Sequence, residues 1–221
     1  MEWIYNMQAR LLTDLPGWLA QSKMAPPIRT ANMPIPENVR LGGVMILLME
    51  HEGKWHTVLI RRTEDGHTHS GQISFPGGKK DRQDEHLTAT ALRECDEEIG
   101  VPASAVEIIG SLSPLYIPPS NFLVTPTVAW LKTPWRFRPS EREVQEIIQV
   151  PLDLLFDPAI KKVKEVKRSD LKNIGMHTPV YALDKDILIW GATAMIIAEL
   201  ESLLIEEDLG FTFTVNKSII K

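Results

Sequence analysis

Apolar and polar positions along the chain mark out a run of short strands and a few helices. Residues 2–19 carry Ile4, Met7, Leu11, Leu12, Leu15 and Trp18 at rough helical spacing, interrupted at Pro16. That spacing predicts an amphipathic N-terminal helix packed on a core. Residues 24–38 hold four prolines and read as an extended connector. The run from Gly43 to Met49 is continuously apolar and predicts a buried strand; residues 51–54 predict a turn and Trp55–Arg62 a second strand. Val106–Leu112 and Val124–Leu131 read as further strands, flanking a structured loop over 114–121. Residues 161–167 alternate charged and apolar side chains as an exposed strand does, and 180–183 and 187–190 are short strands. Gly191–Glu206 predicts a strong helix with Ala194, Ile197, Leu200 and Leu204 on its apolar stripe, and Phe211–Val215 alternates like an edge strand. Strands in this order, with one helix in the middle and one near the end, suit a mixed sheet between helical layers.

The stretch from residue 75 to 101 departs most from a simple apolar pattern. Phe75-Pro76-Gly77-Gly78 reads as a turn where bare backbone comes close to something. A helix follows from about His86 to Ile99, with Thr88, Leu92, Cys95 and Ile99 on one narrow stripe and Gly100 placed to end it. Glu94, Glu97 and Glu98 stand at i, i+3 and i+4, so their carboxylates converge. Like charges at that spacing cost roughly 0.2–0.5 kcal/mol per pair. They also lie toward the helix C-terminus, where the macrodipole disfavours anions. Such a cluster calls for counter-charge. Arg93 supplies part of it through Glu97, four residues on, and a divalent cation with oxygen ligands supplies the rest.

Composition narrows the classes. A net charge of −5 over 221 residues argues against a general nucleic-acid or anionic-membrane binder, so any phosphate recognition is local. The single cysteine, Cys95, excludes an intramolecular disulfide and a multi-cysteine zinc site, and its place on the apolar stripe makes it a small buried hydrophobe. No apolar run reaches the ~18 residues of a membrane span. The start has no basic segment of the secretory kind, so the expected compartment is the cytoplasm.

Arg93, Glu94, Cys95, Glu97, Glu98, Gly100 and Val101 match the second half of the pattern G-x5-E-x7-R-E-U-x-E-E-x-G-U, with U apolar. The stretch therefore resembles the Nudix box. Its first half departs by one inserted residue: counted back from Arg93 the box glutamate is Glu85 and the glycine position is Lys79, whereas counted from Gly78 the acid is Asp84. The coenzyme A pyrophosphatase branch of the Nudix hydrolases carries the same extra residue, as FPGGK-x-D followed by TALRE, here Phe75–Lys79, Asp81 and Thr90–Glu94. An upstream signature of that branch keeps its register at Leu59, Arg62, Gly71 and Phe75–Gly78, and departs at Val58, Ile60, Thr63 and His67. An arginine stands at the last of these positions in the branch, so its absence leaves the holder of the substrate's extra phosphate undefined.

The resemblance implies an α/β/α sandwich with a mixed β-sheet between helices. It divides the chain into an N-terminal helix and proline-rich connector over 1–38, packed on a hydrolase domain over 39–221. It implies Mg²⁺ or Mn²⁺ held mainly by Glu94 and Glu98, with Glu97 as a further ligand or the water-activating base and a backbone carbonyl from Gly78. Arg93 orients Glu97. Arg62, His69, Gly77, Gly78 and Lys79 are candidate substrate contacts; Lys80 is a further candidate for phosphate, and Tyr116 or Phe122 for stacking on a base. Glu143 and Glu146, in an E-V-x-E pattern before an apolar strand, are loop acids within possible reach of the metal. The implied substrate is coenzyme A or an acyl-CoA. The alternatives are ADP-ribose or a dinucleotide, or a non-catalytic module that binds a nucleotide. Homodimers are common in the family, and the amphipathic N-terminal segment offers a surface for one.

Overall fold

The computed structural model describes residues 2–31, 33–63, 71–168 and 174–206. It begins with two helices, α1 (Glu2–Leu11) and the short α2 (Trp18–Gln21), so the predicted N-terminal helix stops five residues before Pro16 and resumes after it. Strand β1 (Arg40–His51) turns back into β2 (Lys54–Arg62). The two turn residues, Glu52 and Gly53, both have positive φ (51° and 73°), the geometry that matches the twist of a tight hairpin. Then come β3 (Ile73–Ser74), β4 (Gly77–Lys79), α3 (Leu87–Ile99), β5 (Val106–Ser111), β6 (Leu115–Ile117), β7 (Phe122–Leu131), β8 (Val144–Pro151) and α4 (Leu152–Leu155). β1 runs parallel to β7, with Arg40 opposite Phe122 and Leu48 opposite Trp130, while its pairings with β2 and β4 are antiparallel. The eight-stranded sheet is therefore mixed. A second, three-stranded sheet is formed by β9 (Lys161–Arg168), β10 (Ile174–Ala182) and β11 (Leu188–Trp190), and α5 (Gly191–Glu206) follows it.

Alternate residues of the central strands feed two cores. Met45, Leu47 and Met49 of β1, with Val58 and Ile60 of β2, pack against Ala91, Cys95 and Ile99 of α3. Ile46 and Leu48, with Leu59, pack on the opposite face against Ile4, Met7 and Leu11 of α1 and the buried side of α5. A strand buried on both faces reads as an unbroken apolar run, which is why 43–49 shows no alternation. The result is an α/β sandwich with helices on both faces of the sheet. α5 is buried almost all round rather than along one stripe: Met195, Ile196, Ala198 and Leu203 are as hidden as Ala194, Ile197, Leu200 and Leu204. Inside it, the fully buried Glu199 accepts hydrogen bonds from Gly17 N (3.1 Å), Ser113 N (3.2 Å) and Gln21 Nε2 (2.9 Å), tying the N-terminal segment to the end of the chain's core.

Two local expectations change. The Gly77–Gly78 pair is not a turn but the start of strand β4, paired with Val44 and Gly43 of β1. The loop over 114–121 contains a strand, β6, on the edge of β7. The Phe211–Val215 segment lies outside the described residues, as does His69. Tyr5 on α1, Leu12 just after it and Leu19 on α2 are exposed, so the amphipathic segment buries only part of its apolar surface. No helix among the described residues is long and apolar enough to cross a membrane.

Candidate active site

The site starts from the absence of side chains on β1 and β4. A Cβ at Gly43 would lie 2.3 Å from the carbonyl oxygen of Leu87, so α3 rests its first turn directly on the backbone of β1. A Cβ at Gly78 would lie 2.4 Å from Glu94 Oε1. Gly77 has φ +154°, and a Cβ there would collide with β1 at Gly43 O (2.4 Å). Close approach, rather than a bend, is what these glycines provide. α3 itself begins at Leu87: the His86 side chain caps it by accepting from Ala89 N at 3.0 Å, and Gly100 ends it in the left-handed conformation (φ 71°).

The three glutamates of α3 occupy three different environments. Glu98 is 1% exposed. Its carboxylate accepts from Gly77 N at 2.8 Å and from Arg62 Nη1 at 3.1 Å, so it joins β4 and the end of β2 to the helix. Burial nevertheless pushes its pKa up to about 7, against the lowering effect of the Gly77 N–H and the Arg62 charge. Glu94 is partly buried against Gly78, and desolvation raises its pKa too, opposed by Arg93. Glu97, with its side chain 58% exposed, stands on the outer flank and pairs with Arg93 Nη1 at 3.0 Å.

An acid from outside the helix completes the cluster. Residues 138–144 are tied to the end of α3 by Arg138 N to Ile99 O (3.0 Å) and Ser140 N to Glu98 O (2.9 Å), and to β2 by Thr63 N to Glu143 O (3.1 Å). This brings Glu143 to Glu94 and Glu98, where one carboxylate oxygen from each lies within 4.8 Å of the others. Among the described residues this is the acidic group able to hold a metal ion, and Glu97 is not part of it. Glu146 lies elsewhere, paired with Arg61 at 3.1 Å. The signal for Glu143 in the sequence was the E-V-x-E pattern, which could not say which of the two acids turned inward.

Arg93 is the brace of this arrangement. Its Nε and Nη2 each donate to Asp84, both at 3.1 Å, in a two-pronged pair, and Nη2 also donates to Lys79 O at 3.1 Å. Its Nη1 contacts Glu94 Oε1 at 2.9 Å as well as Glu97. Asp84 is buried, and the guanidinium holds its carboxyl well below the usual range, while Arg93 is raised by the same pair. The two ways of counting the box are thus decided: Asp84, not Glu85, faces Arg93, and Glu85 is exposed.

Gly77, Gly78, Arg62 and Lys79 also line a cavity of about 660 Å³ that extends across β1 and β7 to β6 and the start of α5. Tyr116 and Phe122 are in its wall; the Arg40 guanidinium covers one face of Phe122 at 4.2 Å, and the Tyr116 hydroxyl donates to Asn121. Lys80 is directed away, donating to Asp84 O. The Cys95 thiol is buried in the core and pushed up to about 12 by desolvation, which removes it from nucleophilic chemistry.

The sequence profile of the NUDIX domain matches residues 39–177. An uncharacterized Nudix hydrolase of Pectobacterium atrosepticum, NudL, is 36% identical over 143 residues, 65% of this chain and 72% of that protein. The peroxisomal coenzyme A diphosphatase NUDT7 of Mus musculus is 32% identical over 171 residues, 76% of this chain and 72% of its own length. Among solved structures, the Ap4A hydrolase binary complex of C. elegans aligns over 52% of this chain and 82% of that one, with 18% identity and a TM-score of 0.44.

Proposed function

The chain belongs to the NUDIX family and is a Nudix hydrolase; within that family we propose that it cleaves the diphosphate bond of coenzyme A or an acyl-CoA. Water adds across the P–O–P linkage, giving 3′,5′-ADP and 4′-phosphopantetheine or its acyl form. The observation that carries the reading is the group Glu94, Glu98 and Glu143, set beside the Gly77–Gly78 backbone at one end of a cavity with Arg62 and Lys79 in its wall. The choice of coenzyme A over other diphosphates is supported by the FPGGK-x-D and TALRE segments and by similarity to the mouse coenzyme A diphosphatase.

The donor set fits a hard divalent cation, Mg²⁺ or Mn²⁺: it is all oxygen, and it keeps a carboxylate, Glu98, out of water with too little positive charge beside it. When bound, such an ion polarises a phosphoryl oxygen and lowers the pKa of a coordinated water. Glu94 and Glu98 are its main holders in this reading, joined by Glu143 and the Gly78 carbonyl. Arg62 and the Gly77 N–H fix the Glu98 carboxylate; Asp84 fixes Arg93, which in turn keeps Glu97 oriented to take the proton from the attacking water. Lys79 and Arg62 face the substrate phosphates from the cavity wall, and His69, outside the described residues, remains a candidate contact from the loop before β3. A buried lone cysteine suits a reducing, cytoplasmic setting.

The test is product analysis after incubation with Mg²⁺ or Mn²⁺ and coenzyme A, acetyl-CoA, ADP-ribose or NADH. Release of 3′,5′-ADP from coenzyme A or acetyl-CoA is expected. Turnover of ADP-ribose or NADH alone would overturn the substrate assignment while leaving the hydrolase in place.

A further inference from the structure

The far end of the cavity holds a cation that has no acidic partner among the described residues. Arg29, in the connector before β1, donates from Nη1 to the carbonyl of Tyr116 on β6, yet its Nε is buried without a hydrogen-bond partner. Among the described residues no acidic side chain pairs with it, and burial lowers its pKa against the opposing effect of Tyr116. A half-buried guanidinium with a buried N–H left over costs free energy unless a ligand completes it. The cavity wall around it contains Arg29, Arg62 and Lys79 and no aspartate or glutamate among the described residues, in a chain whose net charge is −5. Between the cationic ends the wall is apolar, with Met33, Ile117, Val124 and Met195 among its side chains.

The two ends are also too far apart to serve one group. Tyr116 pairs with Leu123 of β7, Leu123 lies opposite Leu41 of β1, and the neighbouring Gly42 faces Lys79 of β4. Three strand spacings, ~14 Å, therefore separate the backbone beside Arg29 from the Gly77–Lys79 strand. A single diphosphate seated at Gly78 does not reach across that span. The anion that completes Arg29 is a second group on the same ligand, separated from the first by a neutral spacer.

We propose that Arg29 is a specificity-determining residue that binds a phosphomonoester of the substrate distinct from the scissile diphosphate, which in the coenzyme A reading, on which this assignment rests, is the 3′-phosphate of the adenosine moiety. A planar guanidinium with a free Nε–H edge suits two oxygens of a phosphate better than it suits a neutral ribose hydroxyl. The position where the related branch carries an arginine is His67 here, so the connector supplies the charge from another segment.

Two measurements test it. Calorimetric titration of the full chain with 3′,5′-ADP and with AMP, neither of which contains a cleavable diphosphate, isolates the extra phosphate. The wild type is expected to prefer 3′,5′-ADP by about 10-fold or more, and Arg29→Gln to lose that preference while AMP binding changes less than about 2-fold. In turnover, Arg29→Gln is expected to lower kcat/KM for coenzyme A but not for 3′-dephospho-CoA. Should Arg29→Gln fail to fold because its bond to Tyr116 is lost, Arg29→Lys keeps the charge without the fork and is expected to lose several-fold of the same preference. Equal binding of the two nucleotides by the wild type, or an equal loss of both in the variant, overturns the proposal. An Arg29-dependent preference for 3′,5′-ADP in a protein that does not hydrolyse coenzyme A would uphold it and refute the proposed reaction instead.

Discussion

Gly78→Ala separates what the glycine strand does for the site from what it does for the fold. The added methyl carbon would lie 2.4 Å from Glu94 Oε1, 2.6 Å from its Cδ and 2.8 Å from Oε2. Carbon–oxygen contact needs roughly 3.5 Å, so the carboxylate must withdraw by about 1 Å. Glu94 can do so by turning its own side chain, at a cost on the order of 1 kcal/mol. Gly78 has an ordinary negative φ, so its backbone accepts alanine. For a chain of this size 1 kcal/mol moves Tm by about 2–4 °C. The expected result is a nearly unchanged Tm with divalent-ion affinity lowered about 10–100-fold, because Glu94 no longer meets Glu98 and Glu143. Gly43→Ala is the contrast. There the methyl meets backbone, Leu87 O at 2.3 Å and Ala91 N at 3.1 Å, which cannot rotate away. Shifting the whole of α3 costs about 3 kcal/mol or more, a fall in Tm of about 6–12 °C. Thermal denaturation of both variants, with Mn²⁺ titration followed by calorimetry, reads the two effects separately. Wild-type ion affinity in Gly78→Ala, or equal destabilisation by the two substitutions, would refute the reasoning.

Three further outcomes follow from the same contacts. Glu98 has a folded pKa of about 7, above the ordinary value of 4.5, so its contribution to metal-free stability is present at low pH and is lost as pH rises through that window, by up to about 3 kcal/mol. The stabilisation on adding Mg²⁺ should therefore grow between pH 5 and 8, by up to about 3 kcal/mol, and Glu98→Gln should flatten that pH dependence. Glu199→Ala leaves the N–H groups of Gly17, Ser113 and Gln21 facing an empty space; a loss of about 3 kcal/mol or more is expected in urea denaturation, with activity per folded molecule unchanged. Asp84→Asn removes the charge opposite Arg93; if Arg93 positions Glu94 and Glu97 as proposed, kcat for diphosphate hydrolysis should fall about 10-fold or more while KM changes little.

Much of the architecture was legible because the residues involved carry a local signal. The apolar run at 43–49, the turn at 51–54, the start and stop of α3 and the span of α5 each depend on neighbours close in sequence, and the structure differs from the expectation by a few residues at most. The glycine pair was misread as a turn because a glycine records only that something is close. Whether that something is a bend or a packed helix depends on Leu87 and Glu94, which come later in the chain. Spacing alone puts the three glutamates of α3 on one flank, with Glu94 and Glu98 adjacent, and does not say which of them is buried. Their burial differs because β1 and β4 press on the Glu98 side and leave Glu97 in solvent, a distinction set by the sheet and not by the helix.

The inserted residue between β4 and α3 shows how such a site tolerates a change in length. The fixed points are Gly78, which must lie against Glu94, and Arg93, which must reach both Glu94 and the segment before the helix. Between them the chain forms a tight turn in which Asp81 N donates to Asp84 Oδ2 (2.8 Å), Asp84 N to Asp81 O (3.2 Å) and Lys80 Nζ to Asp84 O. The turn settles the Asp84 carboxylate beneath Arg93, and the extra residue is absorbed by the exposed Glu85 and by His86, whose side chain caps the helix. What the site requires is a buried carboxylate within two hydrogen bonds of the guanidinium, and a shorter acid one position earlier meets that requirement as well as a longer one later. A pattern written in residue counts is therefore a weaker guide to this half of the motif than the question of which acid Arg93 can reach.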